Sequence, residues 1–160
     1  MKTKTIISTF LLAVLFFASG CEDKEKPEIP PIEEEIFPKE ISFTEYSLAG
    51  TSCKLKLFQG FGLIIINSNE DLENYIDCIG ESSYSEIDFS KYTLILAYGG
   101  ETSSTLHSNC NNLQQISEQS YKMNVNVRIG VASVISYWQV PIIVNKMNDR
   151  CIVKLIVTYR

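Results

Sequence analysis

The chain is poor in the residues from which catalytic and metal sites are usually built. Its 160 residues include a single histidine, His107, and a single tryptophan, Trp138. It has no Cys-x-x-Cys pair, no Gly-x-Ser-x-Gly elbow, no calcium-loop pattern and no glycine-rich phosphate cradle. These absences argue against a metal site, a nucleotide site and an elbow-type serine hydrolase. We therefore expect a protein without a cofactor and without an active site.

Basic residues are also few, and the net charge of −5 is unevenly spread. Residues 22–40 contain eight acids and three lysines, whereas residues 41–160 contain eleven acids and nine bases. The acidity therefore belongs mainly to the segment before the domain. Because a phosphate-rich partner requires a basic surface and the sequence indicates none, we expect no nucleic-acid binding.

The start of the chain has the layout of an export signal. Lys2 and Lys4 precede an apolar stretch over residues 6–17, which is too short to span a bilayer comfortably. Ala18-Ser19-Gly20 and Cys21 follow, and this motif resembles a lipobox. The resemblance implies cleavage before Cys21, a diacylglycerol thioether on its sulfur and acylation, such as palmitoylation, of its amino group. The alternative is an ordinary signal peptide with a chance cysteine.

A tether follows the predicted signal peptide of residues 1–20. Residues 21–40 hold four of the five prolines, which together with the acidic residues predict a stiff, solvated spacer. Residues 22–26 resemble the acidic export signals of surface lipoproteins in Bacteroidetes-type bacteria. We therefore expect a lipid-anchored protein of the outer membrane, on either its periplasmic or its surface-exposed face.

Residues 41–160 are predicted to form one β-rich globular domain. Residues 121–129 alternate between apolar and polar side chains, which indicates a strand with one buried face. Similar strands are expected at 53–58, 63–66, 92–98, 134–144 and 151–159. Pro141 cannot donate to a ladder, so an edge or a bulge is expected at its position. The expected fold is α+β and β-dominant, with an antiparallel sheet or partly open barrel of about six to seven strands.

One short helix is expected to pack on this sheet. Ser68 is the predicted N-cap, with Asp71 three residues later as in a capping box. Leu72, Tyr75, Ile76 and Ile79 follow with helical spacing, and Gly80 is the predicted stop. The prediction is a helix that continues to about residue 79.

Four cysteines remain after Cys21, namely Cys53, Cys78, Cys110 and Cys151. Export into an oxidising compartment predicts disulfides, and four cysteines allow three connectivities. The pairing Cys53–Cys78 with Cys110–Cys151 is favoured, and free thiols are the alternative.

Binding residues are sought among the aromatic residues and in one glycine-containing loop. Tyr137 and Trp138 are adjacent, so in a strand one faces inward and the other outward, and the outward one is the better binding candidate. Gly99, Gly100 and Thr102 are predicted to lie in a flexible polar loop after a buried strand, where binding sites often occur.

Two segments, 64–73 and 87–96, resemble small uncharacterised lipoproteins of Bacteroidetes. They are more distantly similar to the C-terminal domain of protease-complex-associated (PrcB-like) proteins. The Thr-Gly-Gly-Tyr loop of that family would fall near Gly99–Thr105, where this chain reads Gly-Gly-Glu-Thr-Ser-Ser-Thr and lacks the tyrosine. The expected function is a membrane-anchored, non-enzymatic protein-binding module, with a protease-associated role implied by the resemblance. A glycan-binding accessory lipoprotein is the alternative, and a hydrolase acting through His107 is a third hypothesis.

Overall fold

The computed structural model describes residues 36–80 and 83–160, and residues 35–160 form one compact unit. The predicted signal peptide, Cys21 and the tether up to residue 35 lie outside the described residues. Helix α1 spans Asn69–Glu73. The strands within the described residues are β1 Lys39–Glu40, β2 Thr44–Glu45, β3 Cys53–Leu55, β4 Gly62–Ile66, β5 Ile76–Cys78, β6 Tyr92–Glu101, β7 Thr105–Ser117, β8 Ser120–Ile129, β9 Ser136–Asn145 and β10 Ile152–Tyr159.

The strands form two four-stranded sheets and a two-stranded pair. The first sheet has the order β1-β7-β8-β10, the second has the order β2-β9-β6-β4, and β3 pairs with β5. All pairings are antiparallel except β8 with β10, which is parallel. The β-dominant class with one short helix is confirmed, and the sheets do not close into a barrel. The parallel pair arises because β9, which lies between β8 and β10 in sequence, belongs to the other sheet.

The main core lies between the two sheets. The predicted alternation of β8 is confirmed, because Met123, Val125 and Val127 are buried and the residues between them are more exposed. From the second sheet, Val140 and Ile142 of β9 belong to the same cluster. The first sheet therefore buries one face and leaves its other face in solvent.

The second sheet is buried on both faces. In β6, Ile95 belongs to the main core, whereas its neighbour Leu94 belongs to a second cluster with Leu72 of α1 and Ile76 of β5. This explains why residues 93–97 read as a continuous run of buried residues without alternation. Helix α1 and the β3–β5 pair thus cover the outer face of the second sheet.

Pro141 lies in the middle of β9, yet no hydrogen bond of the β6–β9 ladder is lost. It is opposite Leu96 of β6, and its carbonyl oxygen accepts a hydrogen bond from the Tyr46 amide at 3.0 Å. Because the N and C=O of one residue point to the same side of a strand, the missing N–H faces β2. Strand β2 has only two residues, so this side of β9 behaves as an edge, as the proline predicted.

The predicted helix begins correctly but ends early. Ser68 is the N-cap, and its hydroxyl accepts a hydrogen bond from the Asp71 amide at 3.1 Å. The expected continuation to residue 79 is wrong, because α1 ends at Glu73 and Ile76–Cys78 forms β5. The pairing of β5 with β3 replaces the helical hydrogen bonds, and the buried Ile76 serves a strand as well as it would serve a helix. Ile79 is exposed, unlike a residue of a buried helical stripe.

One of the two favoured disulfides is present. Cys53 and Cys78 lie opposite each other in β3 and β5 and are bonded. The predicted Cys110–Cys151 bond is wrong, because both residues are free thiols. Cys110 of β7 is opposite Val125 of β8, and Val125 is opposite Val157 of β10. Cys151 precedes Val157 by six residues, so it lies far along β10 from the position level with Cys110. Six residues of strand span about 20 Å, whereas a disulfide needs Cα atoms within about 7 Å.

A buried hydroxyl ties the turn after β9 to β6. Thr93 is fully buried, and its hydroxyl donates to Asn67 Oδ1 at 2.7 Å. The Thr93 hydroxyl oxygen in turn accepts a hydrogen bond from the Met147 amide at 3.0 Å. Both bonds join segments that are distant in sequence, so Thr93 anchors the end of the sheet near α1.

No helix in the described part of the chain has the length and apolar character that crossing a membrane would require.

Candidate functional site

Five strands of both sheets start or finish at one end of the sandwich. Glu101 at the end of β6 is opposite Ser136 at the start of β9. Thr105 at the start of β7 is opposite Ile129 at the end of β8, and β10 also finishes at this end. Two loops connect these strands, residues 102–104 and residues 130–135. The topology therefore brings two loops that are distant in sequence side by side.

Hydrogen bonds join the two loops into one unit. The Ser104 amide donates to the Ala132 carbonyl at 2.9 Å, and the Gly130 amide donates to the Ser104 carbonyl at 2.6 Å. The Ser136 hydroxyl donates to the Ser103 carbonyl at 2.6 Å. A Cβ on residue 130 would lie 2.3 Å from the Ser104 hydroxyl, so a larger residue at this position would displace the Ser104 side chain. The loops are consequently held in a defined conformation by their own backbone.

Apolar side chains project into solvent from the 130–135 loop and from the start of the neighbouring strand β7. Val131 is fully exposed, Ile135 is 74% exposed, Leu106 is 61% exposed and Val134 is 49% exposed. We call these four residues the apolar end. Three of these residues, Val131, Val134 and Ile135, lie within five positions of one loop. Exposed apolar side chains that lie together mark interaction sites more often than isolated ones do.

The predicted glycines lie beside the apolar end, although they lie in a strand. Gly99 and Gly100 are part of β6 rather than of the expected loop, which begins only after Glu101. Gly99 is opposite Trp138, and a Cβ on residue 99 would lie 2.4 Å from the indole ring. Gly100 is opposite Tyr137 in the same way. The two glycines thus make room for the two aromatic rings of β9.

The orientation of the adjacent aromatics settles which of them can meet a ligand. Trp138 is 2% exposed and belongs to the main core, so the binding role predicted for it does not fit this placement. Tyr137 is the outward residue, at 38% exposed, and Thr102 is exposed in the neighbouring loop. Trp138 packs instead on Gly99, and the Phe61 ring lies 6.2 Å from it in an edge-on arrangement. Of the predicted binding residues, Tyr137 and Thr102 border the apolar end.

Tyr159 completes this end of the sandwich. Burial of its hydroxyl, followed by its hydrogen bond to the Glu101 carboxylate, raises the pKa of Tyr159 to about 12. The Ile129 amide also donates to the Arg160 carbonyl at 2.9 Å, which ties the end of β8 to the residue after β10. The two sheets are therefore linked by polar contacts close to the loops.

The apolar residues themselves were not among the predicted binding residues. The sequence nevertheless carries a signal for them, because residues 129–145 contain no charged side chain. An uncharged, apolar connection is unusual for a solvent-exposed loop, which normally consists of polar and turn-forming residues. What the sequence could not show is that Leu106, from another hairpin, meets this loop.

Another surface depression lies elsewhere and is lined partly by residues that make structural polar contacts. It encloses about 700 Å³ beside α1 and is lined partly by Glu86 and Asp88. The Asp88 carboxylate accepts hydrogen bonds from the Ser90 hydroxyl at 2.5 Å and from the Lys91 ammonium at 2.8 Å. Hydrogen bonds from Lys91 and then from Ser90 lower the pKa of Asp88 to about 2. These contacts form the turn before β6, so Asp88 is a poor candidate for a general acid or base.

His107 lies in a different depression of about 320 Å³ on the outer face of the first sheet. Arg128 and Arg160 line it together with two asparagines, Asn109 and Asn126, and one valine. Neither a carboxylate nor a hydroxyl lines it, so the third hypothesis lacks the acid and serine that a triad requires. In the described ranges no three His, Cys, Asp or Glu side chains converge as metal ligands.

Comparisons with protein-family models, with curated proteins and with solved structures return no match for this chain.

Proposed function

We propose that this protein is a lipid-anchored binding protein whose domain presents the apolar end to a protein partner. The observation that carries the proposal is the group of four exposed apolar side chains at one end of the sandwich, three on the hydrogen-bonded 130–135 loop and one, Leu106, at the start of β7. The anchor is Cys21, through the lipobox-like motif that precedes it. The catalytic and metal constellations sought in the described residues lack the groups they would need, which favours binding over chemistry.

The apolar end lies at the opposite end of the first sheet from β1, the first strand of the described residues. The tether leads into β1, which pairs with Gln114 and Gln115 near the far end of β7. The apolar end lies beyond Thr105, at the start of β7. Ten residues of strand between Thr105 and Gln115 span about 33 Å.

The energetics of the apolar end are sufficient for specific binding. Burying a fully exposed Val, Leu or Ile side chain contributes about 1.5–3 kcal/mol before the costs of association. Leu106, Val131 and Ile135 together would supply several kcal/mol in this way. The hydrogen bonds between Ser104, Gly130 and Ala132 hold the loops before binding, so little ordering entropy opposes association.

The anchor is tested on the native protein. Mass spectrometry of the mature chain should find an acylated cysteine at position 21 as the first residue, and Cys21→Ala should release the protein from the membrane fraction. An unmodified Cys21 in a protein recovered outside the membrane fraction would contradict the lipid anchor. It would leave the second part of the proposal, binding of a protein partner at the apolar end, to the next experiment.

The partner is tested by site-specific photocrosslinking in cells that carry the full chain. A photoreactive residue replaces Ser133, which is exposed between Val131 and Ile135, and in a control it replaces Ser117, which is exposed in the hairpin at the opposite end. We expect one protein to be crosslinked from position 133 and not from position 117. Ile135→Asp should abolish that crosslink, and the purified partner should bind the Ile135→Asp protein at least about tenfold more weakly.

Two results would contradict the proposal that the apolar end binds a protein partner. Identical crosslinks from positions 133 and 117 would show that the apolar end has no specific partner. Binding of the Cys21→Ala protein to neutral lipid vesicles that is lost in Cys21→Ala/Ile135→Asp would show that the apolar end inserts into a membrane instead. Because Ile135 is exposed, the substitution should change the free energy of unfolding by no more than about 0.5 kcal/mol, so failure to fold would not explain the loss.

A further inference from the structure

The outer face of the first sheet concentrates positive charge in a domain that is weakly acidic in total. Arg128 and Lys122 of β8 both point to this face, because the residues between them alternate with the buried Met123, Val125 and Val127. Lys154 of β10 lies opposite Lys122. Arg160 follows Tyr159, the partner of Val127, and lines the same depression as Arg128. Four cations thus occupy two rows of one sheet face.

Acidic side chains are nearly absent from this face. Of the residues in register with these rows, Glu40 is the one acid, and it lies at the edge opposite Gln114. The ion pair found within the described residues joins Lys91 to Asp88, on another part of the molecule. In the described part of the chain, none of these four cations forms a salt bridge with an Asp or Glu side chain. The sequence did not show this clustering of positive charge, because the same four residues are spread over positions 122–160.

Between the two cationic rows lies a band of amide side chains. Asn109 is opposite Asn126, and Asn112 is opposite Asn124. The Asn124 amide group donates to the Asn112 side-chain oxygen, which uses one donor and one acceptor of the pair. Each amide has two donor hydrogens and an oxygen with two lone pairs, so further donors and acceptors remain in the band. Hydroxyl groups, which both donate and accept, match such a band well.

The two cationic rows are about 20 Å apart, because six residues of β8 separate Arg128 from Lys122. A single small anion cannot reach both rows. A linear polymer that carries acidic groups at intervals and hydroxyl groups between them can contact both rows and the amides together. No Phe, Tyr or Trp side chain shares these described rows, in which His107, opposite Arg128, is the one ring, so a neutral sugar has no large aromatic surface on which to stack here.

We propose that the outer face of the first sheet binds an anionic polysaccharide, with Arg128, Arg160, Lys122 and Lys154 pairing with its acidic groups and the asparagines with its hydroxyls. Charge complementarity favours an acidic polymer. The amide band favours a glycan over an acidic polymer that has no hydroxyl groups. This site is separate from the apolar end, and its occupation requires no protein partner. A chain anchored at Cys21 would thereby be held to acidic glycan near the cell surface.

The test measures binding of the purified full-length mature protein, in neutral detergent, to polygalacturonate, with dextran as the neutral glycan. We expect binding to polygalacturonate that weakens as salt is added, and none to dextran. The double substitution Arg128→Gln/Lys154→Gln should weaken binding at least about tenfold. A matched control, Lys54→Gln/Lys91→Gln, removes the same charge from other surfaces and should change the affinity less than about twofold.

A second pair of measurements separates a glycan site from a general anionic surface. Asn126→Ala should weaken binding to polygalacturonate about fivefold, as expected for the loss of about one net hydrogen bond, and leave any binding to polyglutamate unchanged. Thermal unfolding of each variant verifies that the fold is retained. Equal affinity for polyglutamate and polygalacturonate would overturn the proposal in favour of an acidic peptide. Binding of the Cys21→Ala protein to phosphatidylglycerol vesicles, without binding to polygalacturonate, would overturn it in favour of a lipid surface.

Discussion

Removing the Cys53–Cys78 disulfide should destabilise the domain without disturbing the candidate sites. The bond closes a loop with a sequence separation of 25 residues between β3 and β5. In the chain-entropy description, closing a loop of that length stabilises the folded state by about 3.5 kcal/mol at 25 °C. Neither Cys53 nor Cys78 belongs to the core between the two sheets, since both lie in the cluster around Leu72. Removing the bond should therefore lower the global free energy of unfolding and leave the folded conformation of the apolar end unchanged.

The assay is urea unfolding of the full chain and of Cys53→Ala/Cys78→Ala, followed by circular dichroism and by fluorescence of the single tryptophan. For a slope of about 1.5 kcal/mol per molar urea, the midpoint should fall by about 2 M. The folded-state emission of Trp138 should stay the same, because its surroundings belong to the other cluster. Adding reductant to the unsubstituted protein should reproduce the shift.

The control is reductant added to Cys53→Ala/Cys78→Ala, which should change nothing, because Cys110 and Cys151 are free thiols. A further loss of stability in that control would show a second disulfide and refute the arrangement of β7 and β10 described above. A loss below about 1 kcal/mol on removing the Cys53–Cys78 bond would refute the loop-closure argument itself.

Three further predictions concern packing and titration. Gly99→Ala should cost about 1–3 kcal/mol in urea unfolding and shift the Trp138 emission, because the new methyl group overlaps the indole ring; an unchanged spectrum would contradict the packing. Thr93→Val should cost about 1–3 kcal/mol, because two buried hydrogen-bonding partners lose their bonds; a neutral effect would show that water replaces the hydroxyl. Burial raises the pKa of Tyr46 and of Tyr159 from 10.0 to about 12, so the folded state holds these protons more tightly than the unfolded state. The resulting stability is present below pH 10 and is lost between about pH 10 and 12, which unfolding curves and tyrosinate absorbance would reveal; ionisation of all tyrosines near 10 in the folded protein would contradict it.

Local patterns were sufficient wherever one residue's environment depends on its near neighbours. The alternation in β8 predicted its buried face, and Ser68 predicted the N-cap of α1, because periodicity and capping are properties of a few adjacent residues. The Cys53–Cys78 bond was also favoured, since both residues flank one compact stretch of chain. The end of the helix was not predictable in the same way, because the partner strand β3 lies outside the window in which helical spacing is read.

The candidate sites depended on long-range pairing to a much greater extent. Tyr137 and Thr102 were selected from the sequence, yet Leu106 reaches the same end of the sandwich as Val131 and Ile135 only because β7, β8 and β9 all start or finish there. The outer face of the first sheet could not be recognised as a binding surface from the sequence, since it needs β7, β8 and β10 in register and β10 pairs in parallel. A pattern along the chain cannot show which strands become neighbours.

The sequence by itself determined the predicted export signal, the lipid-anchor motif at Cys21, the acidic tether and the β-dominant class, since these depend on composition and short-range order along the chain. Tertiary structure decided which cysteines pair, which of Tyr137 and Trp138 faces solvent, and where charge and apolar surface collect. The physical reason is that sheet order and register bring together side chains that are 20 or more positions apart, and the hydrophobic core that fixes this register is a property of the whole domain.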